Sequence, residues 1–160
     1  GAAASSKQRT PESTPDDGGA AAPAPPMSPR SISRIKQLDA LHASVADRAA
    51  QVDDIERQVE VEAAAPGQYG GVAGALGQDL VRARAVVSKY RLAQHANGLA
   101  QAYGNLEKLQ FTKVDAIITG DLTSGRADAK QKRKSLTKAI SVLMARVVAS
   151  REQVMALEKK

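Results

Sequence analysis

The chain has 160 residues, a formal net charge of +6 and no cysteine, which excludes disulfide frameworks, cysteine-based zinc sites and thiol catalysis. Apolar residues make up 42% of it, but with three Tyr, one Phe and no Trp they favour narrow seams between helices over a wide aromatic core. No apolar run approaches the roughly 18 to 20 residues of a membrane span, and the N-terminus lacks the apolar core of a signal peptide.

Residues 1–27 differ in composition from the rest of the chain. They hold five of the seven prolines and lack Leu, Ile, Val and aromatic residues. Such a segment cannot bury enough apolar surface to offset the entropy of ordering it, roughly 1–2 kcal/mol per residue. We therefore predict a disordered tail or linker over residues 1–27 and one helical domain over residues 28–160.

The first predicted helix covers residues 29–62. Ser28 followed by Pro29 is typical of a helix start, because the serine hydroxyl accepts an unpaired backbone N–H and the proline at the first helical position has none to satisfy. Pro66 and the glycines of residues 65–71 end the helix. Apolar residues recur along it every seven positions and form a seam, namely Leu38, Val45, Val52 and Val59, with Leu41 and Ile55 at the partner positions.

The second helical region covers residues 75–119. Between its two halves, Asn97-Gly98 is typical of a helix C-cap. The sequence alone leaves open whether the region is one long helix, a helix kinked near Gly98, or two helices. Two sets of apolar residues fall at helical spacing, namely Leu76, Leu80, Ala83, Val87 and Tyr90, then Leu99, Tyr103, Leu106, Val114 and Ile117.

A turn over residues 119–128 leads into the last predicted helix, residues 126–158, with Ser124 or Asp128 as its candidate N-cap. No segment alternates with the two-residue period of a strand. We therefore predict an all-α fold, an elongated antiparallel three-helix bundle, or a four-helix bundle if Gly98 breaks the second helix. The seam of the last helix consists of Leu136, Leu143 and Leu157 at one position and Ile140, Val147 and Val154 at the other.

The start of the last helix is strongly basic. At 100° per residue, Lys130, Lys134 and Lys138 share one lateral face. Arg133 lies between that face and the seam, whereas Lys132 lies on the other side of the seam. Cations in the first turns of a helix oppose its macrodipole by about 0.3–1 kcal/mol, and lysines four residues apart repel one another. Stability therefore does not explain the cluster, and the net charge of +6 favours an acidic partner.

Asp115 lies near the end of the second helical region. On a straight helix it points nearly opposite to the seam, on the polar side with Asn105, Lys108 and Thr112. An acid on one helix and a basic flank on the next, joined by one turn, form a bipolar patch that orients a partner of complementary charge.

Residues 105–145 resemble the last two helices of a BAG domain, a three-helix bundle that binds chaperones of the heat-shock seventy-kilodalton class. Residues 31–52 look like the family's first helix. The matching features are Val114-Asp115-Ala116-Ile117-Ile118, a short turn, Arg133-Lys134 at a basic helix start, and then Leu136, Ile140 and Leu143.

The resemblance assigns the contact with the chaperone's nucleotide-binding domain to an Asp late in the second helix and an Arg early in the third, here Asp115 and Arg133. Asn105 stands where the family often has a Glu, and Ser141 stands where it tends to have a Gln, so both positions bear on affinity. The candidate partner-binding site consists of Asp115, Arg133, Lys134, Lys138, Lys130, Asn105 and Ser141.

The function that this resemblance implies is that of a co-chaperone, a monomer without a cofactor, which promotes ADP release from the chaperone. No residues are spaced for nucleophilic or acid–base catalysis or for metal binding, so we expect no enzyme. The expected location is the cytoplasm, with the nucleus as the alternative because residues 130–134, KQKRK, also match a nuclear-localisation pattern.

Other functions compete with that hypothesis. The heptad seams of the first or last helix can pair with another chain in a coiled-coil scaffold, and the basic cluster can be a solvated helix face or bind an anionic surface. Nucleic-acid binding is disfavoured because the last helix has no aromatic residue to stack on bases.

Overall fold

The computed structural model describes residues 26–64 and 75–159. They form three α-helices: α1, Pro29–Ala64; α2, Ala75–Leu109; and α3, Arg126–Glu158. A π-helical turn, Gln110–Val114, continues directly from the end of α2. These described ranges contain no strand, so the all-α prediction is confirmed. The tail predicted over residues 1–27 lies outside the described residues except for residues 26 and 27, and so does the turn at residues 65–71.

The three helices run up, down and up. Asp39 of α1 contacts Lys132 of α3, and Glu56 contacts Arg146, so residue numbers rise together and α1 and α3 are parallel. Glu62, near the end of α1, contacts Arg91 in α2, which runs the opposite way. Consecutive helices are therefore antiparallel, as in an ordinary three-helix bundle.

The predicted seams of α1 and α3 form the core. Each fully buried Leu or Val contributes roughly 1.5–3 kcal/mol relative to an exposed one, so these heptads supply the main stabilising term. Leu157, at the end of the α3 seam, is only partly buried. The buried hydrophobic residues are Leu38, Val45, Val52 and Val59 of α1, Leu92, Leu99, Ala102 and Leu106 of α2, Val114, Ile117 and Leu122 between α2 and α3, and Ala129, Leu136, Ile140, Leu143, Val147 and Val154 of α3.

α2 continues through Gly98, so of the alternatives that the sequence left open the structure shows one long helix, and Asn97-Gly98 is not a C-cap. A Cβ atom at Gly98 would lie 3.3 Å from Cδ1 of Ile55. The absence of a side chain at Gly98 therefore lets α2 approach α1 closely. A tertiary contact, rather than a helix end, explains why glycine occupies this position.

The first part of α2 does not belong to the core. Every side chain described from residue 78 to residue 87 is exposed, and Tyr90 is exposed as well. Ser88 and Arg91 contact Glu62, which is two residues from the end of α1, so the preceding part of α2 extends beyond α1. Ala83, Val87 and Tyr90, which fall at helical spacing, are therefore not part of the core, and among the side chains described in α2 burial begins at Leu92. The side chains of Leu76 and Leu80 lie outside the described part.

The two helix starts are built differently. The Ser31 N–H donates to the Ser28 hydroxyl oxygen at 3.2 Å, which confirms the predicted cap of α1. At α3 the N-cap is Gly125, with φ +64° and no side-chain cap, so the predicted cap by Ser124 or Asp128 is wrong. The Ser124 hydroxyl instead accepts the Ser28 N–H at 2.8 Å, because the start of α1 packs against this turn.

Candidate partner-binding site

The π-helical turn changes the direction of the residues that follow it. The Asp115 N–H donates to the Gln110 carbonyl at 3.0 Å, which is an i to i−5 bond. A turn closed in this way holds one residue more than an α-helical turn, so a straight helix drawn through it misplaces the next side chains by about 100°. The predicted direction of Asp115, nearly opposite to the seam, is therefore wrong.

Asp115 lies beside α3 instead. Its Oδ1 atom is 3.4 Å from Nη2 of Arg133, and the two side chains are 44% and 33% exposed. The chain thus brings together the two residues to which the resemblance assigns the chaperone contact. Because the pair is long and open to water, each group keeps room to bind a charge on another molecule.

The residues after Arg133 form a column on α3. The Thr137 hydroxyl donates to the Arg133 carbonyl at 3.1 Å, and the Ser141 hydroxyl donates to the Thr137 carbonyl at 3.0 Å. Ser141 therefore lies on the same flank as Arg133, two turns further along, with its hydroxyl proton already engaged.

The basic flank, defined as Lys130, Arg133, Lys134 and Lys138, faces solvent. The three lysines are exposed, and Arg133 is half-buried. Within residues 26–64 and 75–159, none of the three lysines forms an ion pair. Unpaired ammonium groups at four-residue spacing give this flank a positive field.

Asn105 lies apart from this group. It is exposed and follows Gly98 by seven residues, so it shares the face on which Gly98 packs against α1. It also precedes Asp115 by ten residues, about 15 Å along a helix. The structure therefore unites Asp115 and Arg133, keeps the lysines and Ser141 on the flank of α3, and leaves Asn105 on the other side of α2.

The opposite flank of α3 is engaged with α1. Lys132 Nζ lies 2.5 Å from Asp39, and that hydrogen bond raises the pKa of the lysine. Arg146 contacts Asp53 at 2.6 Å and also contacts Glu56, which accepts a further bond from Ser150. Burial raises the pKa of Glu56, but the bonds from Arg146 and Ser150 outweigh it, so the net pKa is lowered.

Sequence reasoning missed two residues near Asp115. Phe111 is 65% exposed and Ile118 is 59% exposed, and they lie four residues before and three residues after Asp115. The sequence did hold an indication of Phe111. It is the only phenylalanine of the chain, and at helical spacing it falls on the polar side of the second helical region rather than on the apolar seam.

Two further possibilities, a metal site and a membrane-spanning helix, are not supported by the part of the chain that the structure describes. No three His, Asp or Glu side chains gather there at a distance suited to a metal ion. None of the helices described is both long and apolar enough to cross a membrane.

Comparison of the chain with family models, with curated proteins and with solved structures found no significant match. The family resemblance of residues 105–145 stays a prediction, and the case for a function rests on the residues and geometry described above.

Proposed function

We propose that this protein is a co-chaperone that binds the nucleotide-binding domain of a heat-shock seventy-kilodalton chaperone and promotes ADP release. The observation that carries the proposal is the pairing of Asp115 with Arg133 at 3.4 Å, on a flank whose three lysines form no ion pair among the described residues. A single face thus presents one acid and several bases, as the BAG resemblance requires.

The Asp115–Arg133 pair is well suited to open. Exposed ion pairs contribute about 0–1 kcal/mol to stability, so separating the two groups to meet a partner costs little. A partner with an acid facing Arg133 and a base facing Asp115 replaces one weak pair with two interfacial pairs. The lysines of the basic flank add attraction that accelerates encounter with an acidic surface.

The mechanism is a population shift rather than catalysis by side chains. A bundle that binds the open form of the nucleotide-binding domain more tightly than the closed form lowers the affinity for ADP. By linkage, ADP weakens binding of the bundle by the same factor. Couplings of this kind are typically 1–3 kcal/mol, or about 5–150-fold.

The test is the release rate of a fluorescent ADP analogue from the chaperone, with and without this protein. We expect acceleration by the wild-type chain and its loss in Asp115→Ala and Arg133→Ala. The matched control is Lys132→Ala, an adjacent cation that faces Asp39 on the other flank. Circular dichroism checks that each variant is folded.

Three results would contradict the proposal or narrow it. No binding and no acceleration by the wild-type chain would reject it. Equal loss in Lys132→Ala would reject the assignment to this flank. Binding without acceleration would leave a tethering role, because Asn105 and Ser141 replace the Glu and Gln that the family tends to have.

A scaffolding module without exchange activity is the second candidate. The seams of α1 and α3 are buried within the bundle, so they are not available to another chain. The observation that favours scaffolding is the exposed apolar stripe of Ala83, Val87 and Tyr90 in the first part of α2. A scaffold of this kind would dimerise, with a melting temperature that rises with concentration, whereas we expect a monomer by sedimentation.

A further inference from the structure

Two large apolar side chains are exposed on either side of Asp115. Phe111 precedes it by four residues and Ile118 follows it by three, and the two are 65% and 59% exposed. The π-helical turn is closed by a bond from Asp115 back to Gln110 and holds roughly four to five residues, so two residues of it that are four apart lie on nearly the same face. Since Asp115 faces Arg133, Phe111 lies on the flank of α2 that meets α3.

The Phe111 ring lies outside the hydrophobic core that the described residues form. Core packing in this turn comes from Val114, which is completely buried, and Leu109 is partly buried against the same cluster. Phe111 belongs to the π-helical turn, a feature that recurs at functional sites. The turn therefore places Val114 in the core and leaves the phenylalanine exposed, four residues before Asp115.

The charges near Phe111 indicate the chemistry of a partner surface that would fit this part of the molecule. Arg133 contacts Asp115, four residues after Phe111, and Lys134 and Lys138 on the same flank of α3 form no ion pair among the described residues. A surface that fits must therefore be acidic around an apolar recess. Interfaces commonly centre on an aromatic anchor in a pocket with charged groups at the rim, and such anchors dominate the binding energy.

We propose that Phe111 is the apolar anchor of the partner surface, and that it inserts into an apolar recess bordered by carboxylates on the chaperone's nucleotide-binding domain. This inference rests on the proposed function. It adds a specificity-determining residue to which the BAG resemblance assigns no role, and it makes the π-helical turn the element that presents that residue.

The first measurement uses the single phenylalanine of the chain. Protein grown with 4-fluorophenylalanine carries one fluorine, at Phe111, so its ¹⁹F spectrum has one resonance. On titration with the isolated, nucleotide-free nucleotide-binding domain, we expect that resonance to shift and to lose its sensitivity to the H₂O/D₂O ratio. A bound complex in which the resonance stays solvent-sensitive overturns the anchor.

The second measurement compares affinities for the same domain by calorimetry. We expect Phe111→Ala to weaken binding by at least about tenfold, as for an aromatic anchor. The matched control is Val61→Ala, which removes an apolar side chain of similar exposure from α1 and leaves the affinity unchanged. Phe111→Leu, which keeps apolar reach, restores most of the affinity.

The outcomes separate the two proposals. If the wild-type chain binds and Phe111→Ala binds equally well, the anchor is rejected and the co-chaperone proposal stands. If the wild-type chain does not bind the domain, the co-chaperone proposal fails and the anchor fails with it. If Val61→Ala weakens binding as much as Phe111→Ala, the effect is not specific to this turn and the anchor is rejected.

Discussion

On α3, the flank beside α1 and the flank beside α2 both carry basic side chains, yet their surroundings differ. Lys132 and Arg146 each meet carboxylates of α1. On the other flank, Arg133 has one long contact with Asp115. The lysines there have no ion-pair partner among the residues that the structure describes. These six cations of α3 thus belong to two classes: two join α3 to α1, and four lie on a flank that stays largely open to solvent.

The difference shows which charges need an explanation outside the fold. Lys132 pairs with Asp39, which offsets its position near the positive end of the α3 dipole. On the basic flank, Lys130 opposes the dipole and the three lysines repel one another, at roughly 0.2–1 kcal/mol for each such interaction. An acidic partner that covers these lysines would offset their mutual repulsion.

The largest expected effect comes from reversing the polarity of the candidate site. The double variant Asp115→Arg with Arg133→Asp keeps the internal ion pair but turns both charges against the partner. We expect at least about 100-fold weaker binding to the nucleotide-binding domain, because like charges meet at the interface. Calorimetric titration measures the loss, and thermal melting should be unchanged.

The matched control reverses the pair on the other flank, Asp39→Lys with Lys132→Asp. This exchange keeps a contact between α1 and α3 and leaves the proposed partner surface untouched. Similar losses of affinity in both double variants would mean that the two flanks do not differ in function.

The next effect concerns stability. Arg146→Ala removes contacts with both Asp53 and Glu56, and we expect it to lower the free energy of unfolding by about 1 kcal/mol. Arg133→Ala, which removes one long exposed contact, should cost less than about 0.5 kcal/mol. Urea denaturation of both variants measures the difference, and a larger loss in Arg133→Ala would reverse the assignment of the two flanks.

A smaller effect appears on acidification. The pKa of Glu56 is lowered in the folded protein, so the folded state binds fewer protons than the unfolded state as pH falls below about 4.5. The stabilisation is therefore present above that pH and is lost as pH falls through the folded pKa. We expect Glu56→Gln to be less stable than the wild type at pH 7, by under about 1 kcal/mol.

The check is urea denaturation at pH 7 and at pH 3. The gap between the wild type and Glu56→Gln should narrow at the lower pH. Lys138→Gln, on the open flank, serves as the control whose difference from the wild type should not change between the two values. A gap that widens on acidification would show that the Glu56 carboxylate does not stabilise the fold.

The smallest expected effect is a gain in stability. Replacing Lys130, Lys134 and Lys138 together with Gln removes repulsion within α3, and we expect unfolding to become harder by about 0.3–1 kcal/mol. The same variant should associate with the chaperone domain more slowly, with a weaker dependence on salt. Stopped-flow mixing at two ionic strengths measures the rate, and an unchanged rate would mean that these lysines do not contribute to encounter.

Much of the fold was predictable because its signals are local. The heptads through Leu38 and Leu136 indicated the buried faces, and the α3 bounds of residues 126–158 matched the observed helix. Ser28 was recognised as a cap from the Ser-Pro pair alone. The same wheel placed Lys132 on the flank opposite the other lysines, where it meets α1.

The amino-acid sequence by itself therefore determined the all-α class, the seams of the first and last helices and the position of the basic flank. Three features depended on the tertiary structure: Gly98 serves a contact with Ile55, Ala83 lies where α2 extends beyond α1, and Asp115 turns toward Arg133. The physical reason is the same in each case. Periodicity in the sequence shows which face of a helix is apolar. Whether that face is covered depends on how far the neighbouring helix extends, and one extra residue in a turn rotates the side chains that follow it.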